Sequence, residues 1–286
     1  MVTAVPGGRA RSALAGSAFA DVRWVDETGS TNADAIELAR QGDREGVVLV
    51  ADHQTSGRGR AGRAWSAPPG ASLLVSVLLR PPAEAMEACS MAMGVSAAEA
   101  VEEVAGFAPR LKWPNDLVWP GDGSTGDRKL AGILAEADWP PGSTASGGFR
   151  PPGPGERGVV VAGIGINVSW PADVPDELAD SAIACNHITD RNVDREDLLV
   201  ALLARLDLRY AALVGGDVAS LVADWRARSA TLGRRVRVEL GADHVEGTAV
   251  DVTDAGHLVV ETDAGERRTF AVGDVVHLRP PETASG

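Results

Sequence analysis

Between Asp21 and Val168, apolar stretches alternate with stretches of helical period, and Gly- and Pro-rich joints separate them. Val47–Asp52, Ser72–Arg80, Leu130–Ala137 and Val159–Val168 are rich in Val, Leu and Ile and are bounded by Gly, Pro or Asp, which predicts strands. Helical period predicts a helix capped by Ser30 or Thr31 and running to Arg40, and a second over Met86–Ala105. A third runs from the cap Asp194 to near Leu213, and a fourth contains Leu221, Val222 and Trp225. Strands and helices do not alternate regularly, so the pattern predicts a mixed α/β (α+β) domain.

After Thr231 the texture changes. Arg234–Leu240, Val245–Val252, Leu258–Glu261, Arg267–Ala271 and Val275–Leu278 are short alternating stretches separated by Gly- and Asp-containing turns. They predict a small antiparallel barrel. The expected organisation is a disordered tail over 1–20, a large α/β domain over 21–230, a barrel over 231–280 and a tail over 281–286. Pro120–Asp127 and Pro140–Arg157 have too little apolar content to pack and are expected to be mobile loops, the second at the tip of a hairpin.

The chain has 286 residues and a formal net charge of −13, which opposes any role built on bulk attraction to nucleic acid or anionic lipid. No run of about 18 apolar residues exists to span a membrane. Cys89 and Cys185 lie far apart with no metal-ligand spacing, and the five histidines are scattered, so neither a disulfide framework nor structural zinc is expected. These features predict a cytoplasmic protein. Of 27 basic residues only Lys112 and Lys129 are lysines, which draws attention to both positions.

Several constellations could carry chemistry. Gln54-Thr55-Ser56-Gly57-Arg58-Gly59-Arg60-Ala61-Gly62-Arg63-Ala64-Trp65 combines a flexible backbone with three guanidinium forks suited to carboxylate or phosphate. Taken alone it also fits a solvated loop or an RGG-like RNA contact. Lys112-Trp113-Pro114-Asn115-Asp116 reads as a turn, with or without function. Lys129 opens a strand that continues through Gly132 to Glu136, Gly163-Ile164-Gly165-Ile166-Asn167 ends another, and Ser30-Thr31-Asn32 stands at a helix start.

In this order the segments resemble the biotin protein ligase family, also called holocarboxylase synthetase, in a form without the N-terminal DNA-binding domain. The resemblance implies a catalytic domain built as a mixed sheet flanked by helices, similar to class II aminoacyl-tRNA synthetases, followed by an SH3-like barrel. It implies activation of biotin by ATP, with Mg2+ expected, to biotinoyl-5′-AMP, and then transfer to a lysine of a biotin carboxyl carrier domain. By resemblance, Lys129, Arg60 and Asp116 are the catalytic candidates. Ser30, Thr31, Asn32, Gln54, Arg58, Gly59, Arg60, Lys129 and Gly132 match biotin-binding positions. Arg63, Trp65, Lys112, Asn115, Asp116 and Asn167 match the nucleotide side, and no metal ligand can be named. A monomer or weak homodimer without DNA or membrane partners and without repressor activity is expected. The alternatives are a lipoate- or octanoate-type acyl-adenylate ligase and a non-catalytic RNA-binding module.

Overall fold

The computed structural model describes residues 6–121, 126–138, 152–153, 155–171 and 176–278. Its strands are β1 (Asp21–Thr28), β2 (Val47–Gln54), β3 (Ser72–Leu79), β4 (Arg110–Lys112), β5 (Asp116–Trp119), β6 (Arg128–Asp138), β7 (Val159–Asn167), β8 (Arg235–Leu240), β9 (Asp243–Val252), β10 (Leu258–Glu261), β11 (Arg267–Phe270) and β12 (Asp274–His277). Its helices are α1 (Gly8–Ala13), α2 (Thr31–Arg40), α3 (Cys89–Ala105), α4 (Asp176–Ala179), α5 (Cys185–Thr189), α6 (Arg195–Val214) and α7 (Val218–Arg228).

β1 to β7 form one mixed sheet in the order β1-β2-β3-β7-β6-β5-β4, with β1 and β2 parallel and the other neighbours antiparallel. β3 and β7 are central, and every residue in them is buried, which explains their nearly continuous apolar sequence. α3 packs against this sheet and against α6. Its Met, Ala and Val residues fill the interface, and Gly106 ends it in the left-handed region at φ 82°. Ser30 caps α2 by accepting from the Ala33 amide, and Asp194 caps α6 by accepting from the amides of Glu196 and Asp197. β6 and β7 pair from Ala131–Ile166 to Asp138–Val159, the hairpin expected around the Gly/Pro-rich insertion. Positions 139–151 and 154 of that insertion, and 122–125 of the shorter one, lie outside the described residues.

The five C-terminal strands make an antiparallel sheet in the order β11-β10-β9-β8-β12, consistent with an SH3-like unit. It is fastened to the edge strand β4, because the Ala230 amide donates to the Leu111 carbonyl at 2.7 Å.

The N-terminal segment departs from expectation. Residues 8–13 form α1, and Ala10, Leu14 and Phe19 are buried in the main core. Arg9 reaches Asp194, Glu196 and Asp197 at the start of α6. Three separated apolar residues in an Ala- and Gly-rich run are a weak sequence signal, but acidic groups at a helix N-terminus give the arginine a partner. No helix of the described residues is long and apolar enough to cross a membrane.

Candidate active site

A cleft of about 390 Å³ opens between the large sheet and the C-terminal unit. The β1–α2 junction supplies Ser30, Thr31 and Asn32, and β2 ends on Gln54. The following loop brings Arg58, Gly59, Arg60, Arg63 and Trp65, while the β4–β5 hairpin brings Lys112, Asn115 and Asp116. β6 adds Lys129 and Gly132. Four distant stretches of sequence therefore meet in one place.

One end of the cleft is a network of neutral polar groups. Gln54 Oε1 accepts from the Thr31 amide at 2.8 Å and lies 3.1 Å from Thr31 Oγ1. Asn32 Nδ2 donates to the Leu134 carbonyl at 3.0 Å and to Glu136 Oε2 at 2.8 Å, and its Oδ1 accepts from Ser76 Oγ at 2.5 Å. Because a carbonyl can only accept, these partners fix the Asn32 amide orientation, and both amide protons are used inside the protein. Asn32 therefore shapes this end, while the Ser30 hydroxyl proton and the Gln54 amide protons remain for a ligand.

Glycines let this layer lie close to the sheet. A Cβ at Gly163 would stand 2.0 Å from Asn32 Oδ1, and one at Gly165 would stand 2.6 Å from Trp65 Cε2. Gly132 provides the neighbouring clearance, where a Cβ would meet both Trp65 and Lys129 at 3.0 Å. The Trp65 indole thus rests on the glycine-bared part of β6 and β7, with Lys129 Nζ 5.6 Å from its ring centroid. Its Nε1 is buried without a hydrogen-bond partner, a donor available to a ligand.

The other end is charged. Arg58, Arg60, Arg63, Lys112 and Lys129 line the cleft against the carboxylates of Asp116, Asp274 and Glu239, a local cationic excess in an acidic protein. Lys129 Nζ lies 2.7 Å from Asp116 Oδ1. Arg63 Nη2 reaches Asp274 Oδ1 on β12 at 2.7 Å. Arg60 makes only a long contact, Nη1 to Asn115 Oδ1 at 3.4 Å, and no carboxylate of the described residues lies within 4 Å of it. Burial pulls Arg60 below its ordinary pKa against the opposing pull of Asp274 and Asp116, and a guanidinium stays protonated, so a half-buried cation stands in the cleft with no direct ion pair among the described residues.

Asn167 is the one expected site residue that does not line the cleft. It is 2% exposed, and its Nδ2 donates to the Ile183 carbonyl at 3.1 Å and more weakly to that of Lys129. The Ser181–Ile183 segment pairs with Lys129, and Asn167 Nδ2 ties that segment to the end of β7, while its Oδ1 is buried without a hydrogen-bond partner among the described residues. Sequence reasoning also missed Ser76, Glu239 and Asp274. A serine inside the apolar run Leu73–Leu79 was the available signal for Ser76, whereas nothing local marked the two acidic residues.

The biotin/lipoate A/B protein ligase family matches over residues 26–144, and the biotin protein ligase C-terminal domain matches over 231–278. The chain is 38% identical over 273 residues to the biotin–[acetyl-CoA-carboxylase] ligase of Mycobacterium tuberculosis, covering 93% of this chain and 92% of that protein. The chain belongs to the biotin protein ligase family. A second such ligase, from Paracoccus denitrificans, is 32% identical over 246 residues, with coverage of 84% and 94%. Among solved structures, the biotin protein ligase of Aquifex aeolicus in complex with biotin and ATP superposes with a TM-score of 0.71 at 27% identity, covering 92% of this chain and all of that one.

Proposed function

We propose that this biotin protein ligase joins biotin to AMP at the cleft and passes the biotinoyl group to a lysine of a biotin carboxyl carrier domain. The observation that carries the reading is the pairing of a neutral hydrogen-bonding end with a cationic end that holds a half-buried Arg60, which makes no direct ion pair among the described residues. The first suits an uncharged ureido ring. The second suits two anions that must be brought together.

In the first step a biotin carboxylate oxygen attacks the α-phosphorus of ATP, the bond to the β-phosphate oxygen breaks, and pyrophosphate leaves. Charge concentrates on the α-phosphoryl oxygens, so catalysis rests on orientation and preorganised cations. Lys129 and Arg60 fill that role, with Lys129 next to the reacting oxygens. Ser30 and Gln54 hold the ureido end directly, Thr31 and Asn32 shape it, Arg58 and Gly59 belong to the same loop wall, and Gly132 leaves room beside Trp65 and Lys129. Trp65, Arg63, Lys112 and Asn115 form the nucleotide side, with the indole face available to adenine. Magnesium enters with ATP as part of the substrate.

In the second step the carrier lysine attacks the acyl carbon and AMP leaves. The attacking amine must first lose a proton, and Asp116 is the carboxylate positioned to take it. We read the protein as a cytoplasmic ligase without repressor activity. Biotin-dependent, sequence-specific binding in a gel-shift assay would overturn the second part.

The deciding experiment incubates the purified protein with biotin, MgATP and a carrier domain and measures the intact mass of the carrier. Addition of one biotinoyl group is expected. Transfer of lipoate in preference to biotin, or salt-dependent RNA binding without ATP consumption, would reverse the reading.

A further inference from the structure

The two residues assigned to the reacting centre come from different segments, Asp116 from the edge hairpin β4–β5 and Lys129 from the start of β6. A buried chain of hydrogen bonds through the C-terminal unit ties these segments together. The Trp113 amide donates to Thr231 Oγ1 at 3.0 Å, and Thr231 is fully buried. Thr231 Oγ1 lies 3.2 Å from His277 Nε2, and His277 Nδ1 lies 3.0 Å from Asp127 Oδ2. Asp127 also accepts from Arg234 Nη1 at 2.9 Å. Trp113 stands three residues before Asp116, and Asp127 stands two before Lys129.

Thr231 Oγ1 accepts from the Trp113 amide and keeps one proton and one lone pair, so it can pair with His277 Nε2 in either neutral tautomer. His277 Nδ1 faces both Asp127 Oδ2 at 3.0 Å and Arg234 Nη1 at 3.1 Å, so either neutral tautomer closes the chain: Nδ1–H donates to Asp127, or a bare Nδ1 accepts from Arg234 while Nε2–H donates to Thr231. Burial, with Lys112 and Arg234 nearby, lowers His277 to about 4, which keeps the ring uncharged at neutral pH. The indole adds a second tie, with Trp113 Nε1 donating to the Gly256 carbonyl at 2.9 Å. β5 already pairs with β6 from Asp116–Gly132 to Trp119–Arg128, with a register shift between Leu117 and Val118, and Asn115 bonds Ile133, so the relay acts beside that ladder by bracing the β4 side of the hairpin against the segment that enters β6.

We propose that His277 and Thr231 are positioning residues that set the spacing of Asp116 and Lys129 by clamping the hairpin and the start of β6 to one relay. The inference rests on reading that pair as the reacting centre. Neither residue lines the cleft, so biotin binding should not sense them.

The test measures pyrophosphate release with biotin and MgATP, and biotin affinity by calorimetry, for wild type, Thr231→Val, Thr231→Ser, His277→Phe and Lys129→Ala. Thr231→Val and His277→Phe are expected to lose about 10- to 100-fold in kcat, as an ångström-scale misplacement does, with KM and Kd for biotin unchanged. Thr231→Ser restores the hydroxyl and with it the rate. Unchanged biotin affinity also shows that a slow variant is folded. Wild-type kcat in Thr231→Val or His277→Phe would overturn the proposal, as would parallel losses in kcat and biotin affinity. If Thr231→Val does not fold, His277→Phe and Thr231→Ser decide by the same criteria. Full turnover in Lys129→Ala would instead overturn the reading of the reacting centre.

Discussion

Lys129 and Asp116 face each other from adjacent antiparallel strands, with Nζ 2.7 Å from Oδ1, and among the described residues the ammonium is that oxygen's only polar partner. Both side chains are partly open to solvent, at 37% and 23% exposure. An ion pair of this exposure is worth at most about 1 kcal/mol to the fold. Its position beside Arg60 is better explained by chemistry than by stability. The carboxylate holds the lysine until a bound anion competes for it.

Lys129→Ala should therefore leave the thermal midpoint nearly unchanged while slowing adenylate formation by roughly 10²- to 10³-fold, the usual effect of removing one preorganised charge from a reacting centre. Lys129→Arg should not restore the rate, since a planar fork does not place one compact charge where the ammonium stands. Pyrophosphate release under saturating biotin and MgATP measures both. Near-normal turnover in Lys129→Ala would remove Lys129 from the chemistry, and near-normal turnover in Lys129→Arg would show that any cation at this position suffices.

The Arg63–Asp274 pair makes a separate claim on the C-terminal unit. At 60% and 48% exposure its contribution to stability is small, about 1 kcal/mol or less. It nevertheless fixes an arginine of the cleft loop from a strand more than 200 residues away. Asp274→Asn should raise the KM for ATP several-fold and leave biotin affinity and thermal stability as they were. An unchanged KM for ATP would show that β12 does not serve the nucleotide side.

The two cleft glycines of β7 separate the two ends of the site. At Gly163 an added methyl would press on Asn32, which Ser76, Leu134 and Glu136 hold on three sides and which cannot retreat. At Gly165 it would press on Trp65 instead. Gly163→Ala should weaken biotin binding by about 10-fold or more, in line with the cost of overpacking a filled site. Gly165→Ala should act mainly on ATP. Calorimetric titration of each variant with biotin and with a non-hydrolysable ATP analogue tests the division, which fails if both substitutions weaken the same ligand.

How much of this was legible in the sequence depended on whether the information was local. The cleft residues before Gly165 lie in short segments where glycine, arginine or lysine interrupts apolar texture, and the interruption itself was the signal. Strand parity was less useful at Asn167. It shares a face with Gly163 and Gly165 by alternation, but its Nδ2 ties the Ser181–Ile183 segment to the strand end, and no pattern in β7 announces that contact. Asp274, Glu239 and His277 belong to strands that read as an ordinary small barrel. Their roles arise only when that unit docks on the β4 edge. α1 was hidden for a similar reason, since its stability comes from Phe19, Leu14 and the Arg9 contacts to α6, not from its own composition.

His277 gives a prediction in pH. Burial first, then the positive charges of Lys112 and Arg234, lower it from an ordinary 6.5 to about 4, against the opposing pull of Asp127. Below pH 6.5 the unfolded chain takes up a proton at this histidine while the folded chain does not, so acid favours unfolding. The stability tied to the neutral imidazole is present above about pH 6.5, falls as the pH drops toward about 4, and changes no further below that. The span corresponds to at most about 3 kcal/mol. Other groups titrate over the same range, so the measurement is a difference. Urea unfolding of the wild type and His277→Gln should give curves of stability against pH that converge between pH 6.5 and 4, because glutamine keeps a hydrogen-bonding group but binds no proton. The variant should start lower at pH 8 and lose less on acidification. Parallel curves would mean that His277 is protonated as readily in the folded chain as in the unfolded one, and the neutral relay through Thr231 to Trp113 would then not exist.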